Sequence, residues 1–292
     1  MSFVEHAGGA SLDAGHGVRS PIELIATAAT RYVRGKITAD ARRPQLQQWC
    51  DGIALVRADR APFAAYWQRR NEWALAGAGP LWVALGDSAA QGLGAAHPQE
   101  GYVGQAHAHL VHRTGQPWRV LNLSCSGATI PDVLAEQLPQ LAALPAAPAL
   151  VTCGIGVNDL FRTPLPKVRA QLRTLIEALP DNAVMLDIPL PRGRWRIGRL
   201  AVPLVARANS AIYAGARARR IPVASVSNHF TAPWDGKFGP DDFHPNDIGY
   251  RDWCRALVQA VPGLSWPTLR PLPVAAGPVV EEPAWWQYES AA

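Results

Sequence analysis

The sequence predicts an α/β fold built on a central parallel sheet of five strands. Short, nearly continuous apolar runs alternate with segments of helical periodicity, and such runs are typical of strands buried on both faces. The predicted strands are residues 81–85, 118–123, 149–152, 184–188 and 221–226. Predicted helices over residues 130–138, 167–179 and 200–219 would cover the two faces of the sheet.

The chain begins with residues 1–19, which show no periodicity and predict a flexible terminus. The capping box Ser20-Pro21-Ile22-Glu23 then predicts the start of a helix, because serine caps the first turn and glutamate follows three residues later. We expect this helix to end near Gly35.

Two more helices are predicted over residues 44–59 and 61–76, before the first strand. The second carries four aromatic side chains, Phe63, Tyr66, Trp67 and Trp73. Gly77-Ala78-Gly79-Pro80 breaks the chain after them, so we place a domain boundary there. Residues 1–79 are therefore expected to form a helical N-terminal extension.

The first predicted strand ends in Gly86-Asp87-Ser88. Glycine allows the backbone to turn, so we expect Ser88 at the start of a helix, among backbone N–H groups that lack intrahelical partners. This position suits a nucleophile. The alternative is that Asp87 or Ser88 only caps a helix.

Residues 101–114 predict a helix with three histidines, His107, His109 and His112. No cysteine or carboxylate lies near His109 and His112 in sequence, so we favour exposed or capping roles over metal binding. The last predicted helix spans residues 247–260 and is capped by Asn246. The segment 263–292 is rich in proline, which predicts an irregular C-terminal tail.

Three further stretches combine glycine with polar residues: Asn122–Thr129, Gly154–Asp159 and Asp241–Asn246. The first two follow predicted strands, at the edge of the sheet where ligands bind in open parallel sheets. Together with Gly86-Asp87-Ser88 the three stretches resemble the motif blocks of the SGNH (GDSL) hydrolase family. Ser88 matches the nucleophile block, Gly127 the glycine block, Asn158 the asparagine block, and Asp241 with His244 the Asp-x-x-His block.

The resemblance extends over roughly residues 80–262, the expected catalytic domain, and implies a three-layer α/β/α, flavodoxin-like fold. It also implies a catalytic triad in which His244 takes the proton of Ser88 and Asp241 orients the imidazole. Asp242 remains the alternative orienting carboxylate.

The resemblance implies an oxyanion hole with three donors: the backbone N–H groups of Ser88 and Gly127 and the side-chain amide of Asn158. The neighbouring carboxylates are expected to be structural. Asp87 would support the turn at the nucleophile, and Asp159 would steady the asparagine loop.

These residues predict a serine hydrolase that cleaves carboxylic esters of small molecules through a covalent acyl-enzyme, as esterases and lipases do, without a metal or another cofactor. An acyltransferase or a carbohydrate O-deacetylase could use the same triad. A non-catalytic binding module is the third alternative, against which the intact motif residues argue. The natural ester is not specified by the motifs.

Composition excludes some partners. The net charge is +5 and the pI about 9.3, but only 17% of residues are charged and no basic-aromatic pattern typical of nucleic-acid binding occurs. We find no signal peptide and no apolar run of membrane-spanning length, so we expect a soluble, cytoplasmic protein, with peripheral membrane contact left open. The four cysteines are expected to be free thiols, with a Cys125–Cys153 disulfide as the alternative.

Eight arginines and no acidic residue occur between positions 192 and 220. They are Arg192, Arg194, Arg196, Arg199, Arg207, Arg217, Arg219 and Arg220. The first four follow the fourth predicted strand, so Arg194 and Arg196 are candidates for binding an anionic part of the substrate. The alternative is a solvated basic surface.

Overall fold

The computed structural model describes residues 43–189 and 196–263. The predicted flexible terminus over 1–19, the helix from Ser20 to near Gly35 and the tail from residue 264 onward lie outside the described residues. The side chains of residues 43–46 and 196–200 lie outside them as well.

The central sheet has five parallel strands, as the sequence predicts. They are β1 (Leu81–Gly86), β2 (Arg119–Asn122), β3 (Leu150–Gly154), β4 (Ala183–Leu186) and β5 (Val223–Ala224). Their order across the sheet is β2-β1-β3-β4-β5. Val83 of β1 is in register with Leu121 of β2 on one side and Val151 of β3 on the other, so the strand that leads to Ser88 lies inside the sheet.

Helices lie on both faces of this sheet. They are α1 (Arg43–Ala58), α2 (Arg60–Ala76), α3 (Ser88–Gln91), α4 (Tyr102–Thr114), α5 (Ile130–Asp132), α6 (Leu138–Ala142), α7 (Val157–Arg162), α8 (Leu165–Ala178), α9 (Arg196–Arg219), α10 (Val226–His229) and α11 (Asp247–Ala260). A π-helical segment, Val133–Gln137, joins α5 to α6, and Pro98–Glu100 is a 3-10 turn. The predicted helix over 130–138 is thus part of a longer, three-segment element.

Alternate residues of β1 pack into different cores. Trp82 and Ala84 belong to the core formed with α4 and α11, whereas Val83 and Leu85 belong to the core formed with α8 and α9. Successive side chains of a strand point to opposite faces, so this division follows from the period of two. The arrangement of helix layer, sheet and helix layer confirms the expected α/β/α architecture.

The fifth strand is shorter than the predicted run 221–226. Ile221 still closes the preceding helix, since its backbone N–H donates to the carbonyl of Ala216. Val226 already begins α10, where the Asp187 carboxylate accepts the backbone N–H of Ser227 at 2.9 Å. Helix-end hydrogen bonds on both sides therefore leave only two residues for the strand.

The helix α2 packs against the β2 side of the sheet. Tyr66 and Trp67 are buried in the same core as Trp82, whereas Trp73 is exposed. The Asn71 side chain pairs with the backbone N–H and carbonyl of Asn122, at 2.8 Å each. The predicted helices over 44–59 and 61–76 are confirmed, and the second shares its core with the sheet.

All four cysteines of the chain are described, and all are free thiols. Among the described helices, none combines the length and the apolar character required to cross a membrane.

Candidate active site

Ser88 lies where β1 turns into α3. Gly86 ends the strand at φ +151°, and a Cβ there would clash with the carbonyl oxygen of Gly154 at the end of β3. Glycine is therefore required for both its backbone conformation and the close approach of the two strands. Asp87 is the N-cap of α3, and its side chain accepts the backbone N–H of Ala89 at 3.0 Å. Ser88 is the first helical residue and is half-buried.

A chain of hydrogen bonds joins Ser88, His244 and Asp241. The distance from Ser88 Oγ to His244 Nε2 is 2.9 Å, and that from His244 Nδ1 to Asp241 Oδ2 is 2.6 Å. Both His244 and Asp241 are buried. The predicted Ser, His and Asp residues thus lie together, although Ser88 and His244 are 156 residues apart.

Asp241 is held as an ionised carboxylate. Burial favours the neutral acid, but hydrogen bonds from the His244 ring and from the backbone N–H groups of His244 and Phe243 outweigh it and lower the pKa of Asp241. An ionised carboxylate can only accept hydrogen bonds, so the proton on the His244 ring lies on Nδ1. The Nε2 lone pair then faces the Ser88 hydroxyl.

Asp242, the alternative orienting residue, has a different placement. Its backbone has φ +53°, an uncommon value for a residue other than glycine, and it lines a cavity together with Ser88 and His244. The carboxylate in hydrogen-bond contact with Nδ1 of the imidazole is that of Asp241.

Asn158 lies in the first turn of α7 and is buried. Its Nδ2 donates to the carbonyl of Ala128 at 2.9 Å and makes a long contact of 3.4 Å with Asp87 Oδ2. This places the amide one residue from Gly127, whose φ of +84° favours glycine. Asn158 lines the cavity with Ser88 and His244, whereas Gly127 is not among the residues that line it.

Two buried carboxylates support these loops. Asp159 accepts the backbone N–H of Ile130 with both oxygens, at 3.1 Å each, so the asparagine block holds the segment that follows Gly127. Burial raises the pKa of Asp87 to about 6, and burial also raises the pKa of Asp159 to about 6. Both act as the structural hydrogen-bond acceptors that the sequence suggests.

Sequence reasoning did not identify Gln137. Its buried side chain forms a fork on Gly86, accepting the Gly86 N–H at 2.9 Å and donating to the Gly86 carbonyl at 2.8 Å. A glutamine within an amphipathic helix carries no sequence signal that distinguishes this role from an exposed position. Trp49 was also missed: its Nε1 donates to the carbonyl of Asp241 at 3.0 Å.

Ser88, Asp241 and His244 line a cavity of about 300 Å³. Most of its wall is apolar, and it includes Leu160, Phe161, Ile188, Leu204, Phe230 and Phe243. Phe161 and Leu204 are 39% and 41% exposed, so apolar side chains reach the surface there. Of the two candidate anion-binding residues, Arg194 lies outside the described residues and Arg196 begins α9 with a side chain that also lies outside them.

The helix α4 carries His107, His109 and His112. His107 Nε2 is hydrogen-bonded with the carbonyl of Trp118 at 2.7 Å. Among the described side chains, no group of three or more His, Cys, Asp or Glu is arranged to hold a metal ion.

Comparison with known proteins gives a consistent result. The sequence model of the GDSL-like lipase/acylhydrolase family matches residues 84–251. No curated protein matches the sequence significantly. Among solved structures, TesA is similar with 22% identity and a TM-score of 0.51, covering 61% of this chain and 95% of TesA.

Two other solved structures resemble the chain in fold. One is a variant of Axe2, an acetyl xylan esterase from Geobacillus stearothermophilus, with 19% identity and a TM-score of 0.54 over 66% of this chain and all of Axe2. The other is LAE5, an alpha/beta hydrolase enzyme from the metagenome of Lake Arreo, Spain, with 20% identity and a TM-score of 0.51 over 64% of this chain and 97% of LAE5.

The fold and the site define an SGNH-type carboxylic ester hydrolase. The family match extends over more than half of the 292 residues and includes every residue of the Ser88–His244–Asp241 chain. The chain therefore belongs to the GDSL-like lipase/acylhydrolase family.

Proposed function

We propose that this enzyme hydrolyses esters through a covalent acyl-enzyme on Ser88. The observation that carries the proposal is the hydrogen-bonded chain, with 2.9 Å from Ser88 Oγ to His244 Nε2 and 2.6 Å from His244 Nδ1 to Asp241 Oδ2. Serine is a weak nucleophile unless a base takes its proton during attack, and His244 Nε2 is placed to do so.

In the first half of the reaction, Ser88 Oγ attacks the ester carbonyl while its proton passes to His244 Nε2. The ionised Asp241 stabilises the imidazolium that forms. The tetrahedral intermediate then expels the alkoxide, which takes the proton from Nε2 and leaves as the alcohol. In the second half, a water molecule attacks the acyl carbon while its proton passes to His244 Nε2. The bond between the acyl carbon and Ser88 Oγ then breaks, Oγ takes the proton back from Nε2, and the acid is released.

The oxyanion of each intermediate would be bound by the N–H groups of Ser88 and Gly127 and by Asn158 Nδ2. The Asn158 amide has two hydrogens. One serves the carbonyl of Ala128, and the other makes only the 3.4 Å contact with Asp87. A contact of this length is weak, so the second hydrogen can be offered to the oxyanion at little cost.

The shape and composition of the cavity support an apolar acyl group as the part of the substrate that it holds. About 300 Å³ of mainly apolar space lies next to Ser88, at the small end of the range for ligand pockets. Short to medium acyl chains would bury their methylene groups there.

The experiment is covalent labelling with a fluorophosphonate followed by measurement of the intact mass. We expect one adduct on the wild-type enzyme and none on Ser88→Ala. Turnover of p-nitrophenyl esters of increasing chain length would report the acyl preference, and adding a sugar or alcohol acceptor would separate hydrolysis from acyl transfer. Ordinary turnover by purified Ser88→Ala would overturn the proposed mechanism.

A further inference from the structure

The helix α1 packs directly against the loop that contains Pro240 and Asp241, which we call the acid loop. Trp49 is buried, and its indole Nε1–H donates to the backbone carbonyl of Asp241 at 3.0 Å. The two residues are 192 positions apart in sequence. Trp49 thus binds the main chain of Asp241, and the side chain of Asp241 accepts a hydrogen bond from the His244 ring.

Gly52 allows the backbone of α1 to approach the same loop closely. It lies three residues after Trp49 and therefore on the same face of α1. A Cβ at Gly52 would clash with the carbonyl oxygen of Pro240, the residue before Asp241. Only glycine at this position lets the helix backbone lie against the acid loop.

The contact surface of α1 continues toward the other side of the site. Val56 of α1 and Phe63 of α2 form a small core with Leu93. The next residue, Gly94, lies so close to His244 that a Cβ there would be 2.6 Å from His244 Cβ. The first two described helices therefore contact the acid loop and the segment that packs on the histidine.

The helix α1 lies outside the residues that the family model matches, 84–251. We propose that Trp49 is a positioning residue for the reaction: by fixing the main chain of Asp241, it keeps the carboxylate at hydrogen-bond distance from His244 Nδ1. This inference rests on the proposed function of the Ser88, His244 and Asp241 chain. Small errors in placing a catalytic group cost large factors in rate, so a single buried hydrogen bond can matter here.

Trp49 also lines the catalytic cavity, so its ring could affect substrate binding as a wall. The substitution Trp49→Phe separates the two roles, because it keeps an aromatic ring and removes the N–H. We expect kcat for a p-nitrophenyl acetate substrate to fall about tenfold, with KM changed less than about twofold. Trp73→Phe is the matched control, since Trp73 is 52% exposed on α2, and it should keep wild-type kinetics.

The decisive measurement is a double-mutant cycle with Asp241→Asn. If Trp49 acts through Asp241, then Trp49→Phe should lower kcat by less than about twofold in the Asp241→Asn background, because the carboxylate that it positions is gone. Gly52→Ala provides a second variant, which should lower kcat in the same direction by displacing α1, and it decides the matter if Trp49→Phe does not fold. Thermal unfolding of each variant verifies that it is folded at the assay temperature.

Three results would overturn the inference. They are wild-type kcat in Trp49→Phe, an equal loss in the wild-type and Asp241→Asn backgrounds, and an effect confined to KM that grows with acyl chain length. Full activity of Asp241→Asn itself would instead overturn the proposed role of Asp241, and the inference would fall with it.

Discussion

Asp241 uses its two carboxylate oxygens for different tasks. Oδ1 accepts hydrogen bonds from the backbone N–H groups of Phe243 and His244, at 3.0 and 2.9 Å. Oδ2 accepts a hydrogen bond from Nδ1 of the His244 ring. One short turn thus sets both the backbone and the side-chain geometry. The pairing is local, but Asp242 is even closer in sequence, so the choice of Asp241 rests on the Asp-x-x-His block of the family resemblance.

The partner of His244 is not local. Ser88 lies 156 residues earlier, and only the family resemblance and its position after a strand linked the two. Trp49 and Gln137 could not be predicted at all, because their roles depend on contacts with backbone atoms far away in sequence. Every residue has a backbone carbonyl, so the identity of a residue does not show which distant side chain will donate to it.

Replacing Asn158 with alanine should lower kcat about a hundredfold or more and leave KM nearly unchanged. The amide would donate to charge that develops only in the transition state, so its loss is absent from the ground state. Steady-state kinetics with one p-nitrophenyl ester measure both constants. A loss confined to KM would assign Asn158 to substrate binding instead.

Replacing Asp87 with asparagine should change how stability depends on pH. The pKa of Asp87 is raised by burial to about 6 in the folded protein, above the value of about 3.9 for an unfolded chain. The stabilisation from the neutral acid is therefore complete below about pH 4 and is lost as pH rises through 6. Between pH 4 and 7, the free energy of unfolding should fall further in the wild type than in Asp87→Asn, by up to about 3 kcal/mol.

Urea unfolding at a series of pH values measures this difference. Asp159, whose pKa burial also raises to about 6, is present in both proteins, and its charge contributes to the raised pKa of Asp87. The difference between the two curves therefore reports Asp87 together with its interaction with Asp159. Parallel pH profiles for the two proteins would show that Asp87 does not titrate in this range.

At the scale of elements, type was easier to predict than length. The strands and the main helices follow from apolar periodicity, because burial on a sheet or a helix face imposes it. The run 221–226 reads as one strand, but the Ile221 N–H donates to the carbonyl of Ala216 at the end of α9. Val226 already belongs to α10, in which the next residue, Ser227, donates its N–H to Asp187. Those partners lie in other elements, so the sequence pattern of the run does not contain them.

Gln137 is the last residue of the π-helical segment Val133–Gln137, and its side chain is hydrogen-bonded to the backbone of Gly86, the last residue of β1. We expect Gln137→Ala to lower the free energy of unfolding by about 3 kcal/mol, because the buried N–H of Gly86 loses its partner and its carbonyl loses one donor. Gln140→Ala is the matched control: Gln140 is exposed, and its replacement should change stability by about 0.5 kcal/mol or less. Thermal and urea unfolding of both variants provide the comparison, and equal stabilities would contradict a role for the fork.

At the scale of the whole molecule, the break at residues 77–80 separates segments of chain that share a core. Tyr66 and Trp67 pack with Trp82, and Trp67 Nε1 donates to the carbonyl of Gln91 at 2.9 Å. The domain boundary placed at this break stays a prediction about sequence organisation. Side chains cross it into one hydrophobic core.

A fragment that begins at Pro80 should therefore fail to fold cooperatively, although it contains the whole family-matched segment. It would expose the core surface that Tyr66 and Trp67 cover in the full chain, and each large buried aromatic side chain contributes several kcal/mol. Circular dichroism melting and ester turnover of the fragment and the full chain test this expectation. A cooperative transition with full activity would show that the segment from Pro80 onward folds without the N-terminal helices.

The docking of α1 on the acid loop has a consequence for synthesis of the protein. The ribosome makes Trp49 192 residues before Asp241, a delay of about 10 to 40 s at ordinary translation rates. Over that interval the face of α1 that carries Trp49 and Gly52 has no acid loop to bind, and Ser88 has no imidazole beside it. The growing chain therefore carries Trp49 and Gly52 without their partners for most of its synthesis, and Ser88 gains the His244 imidazole only when the last part of the fold emerges.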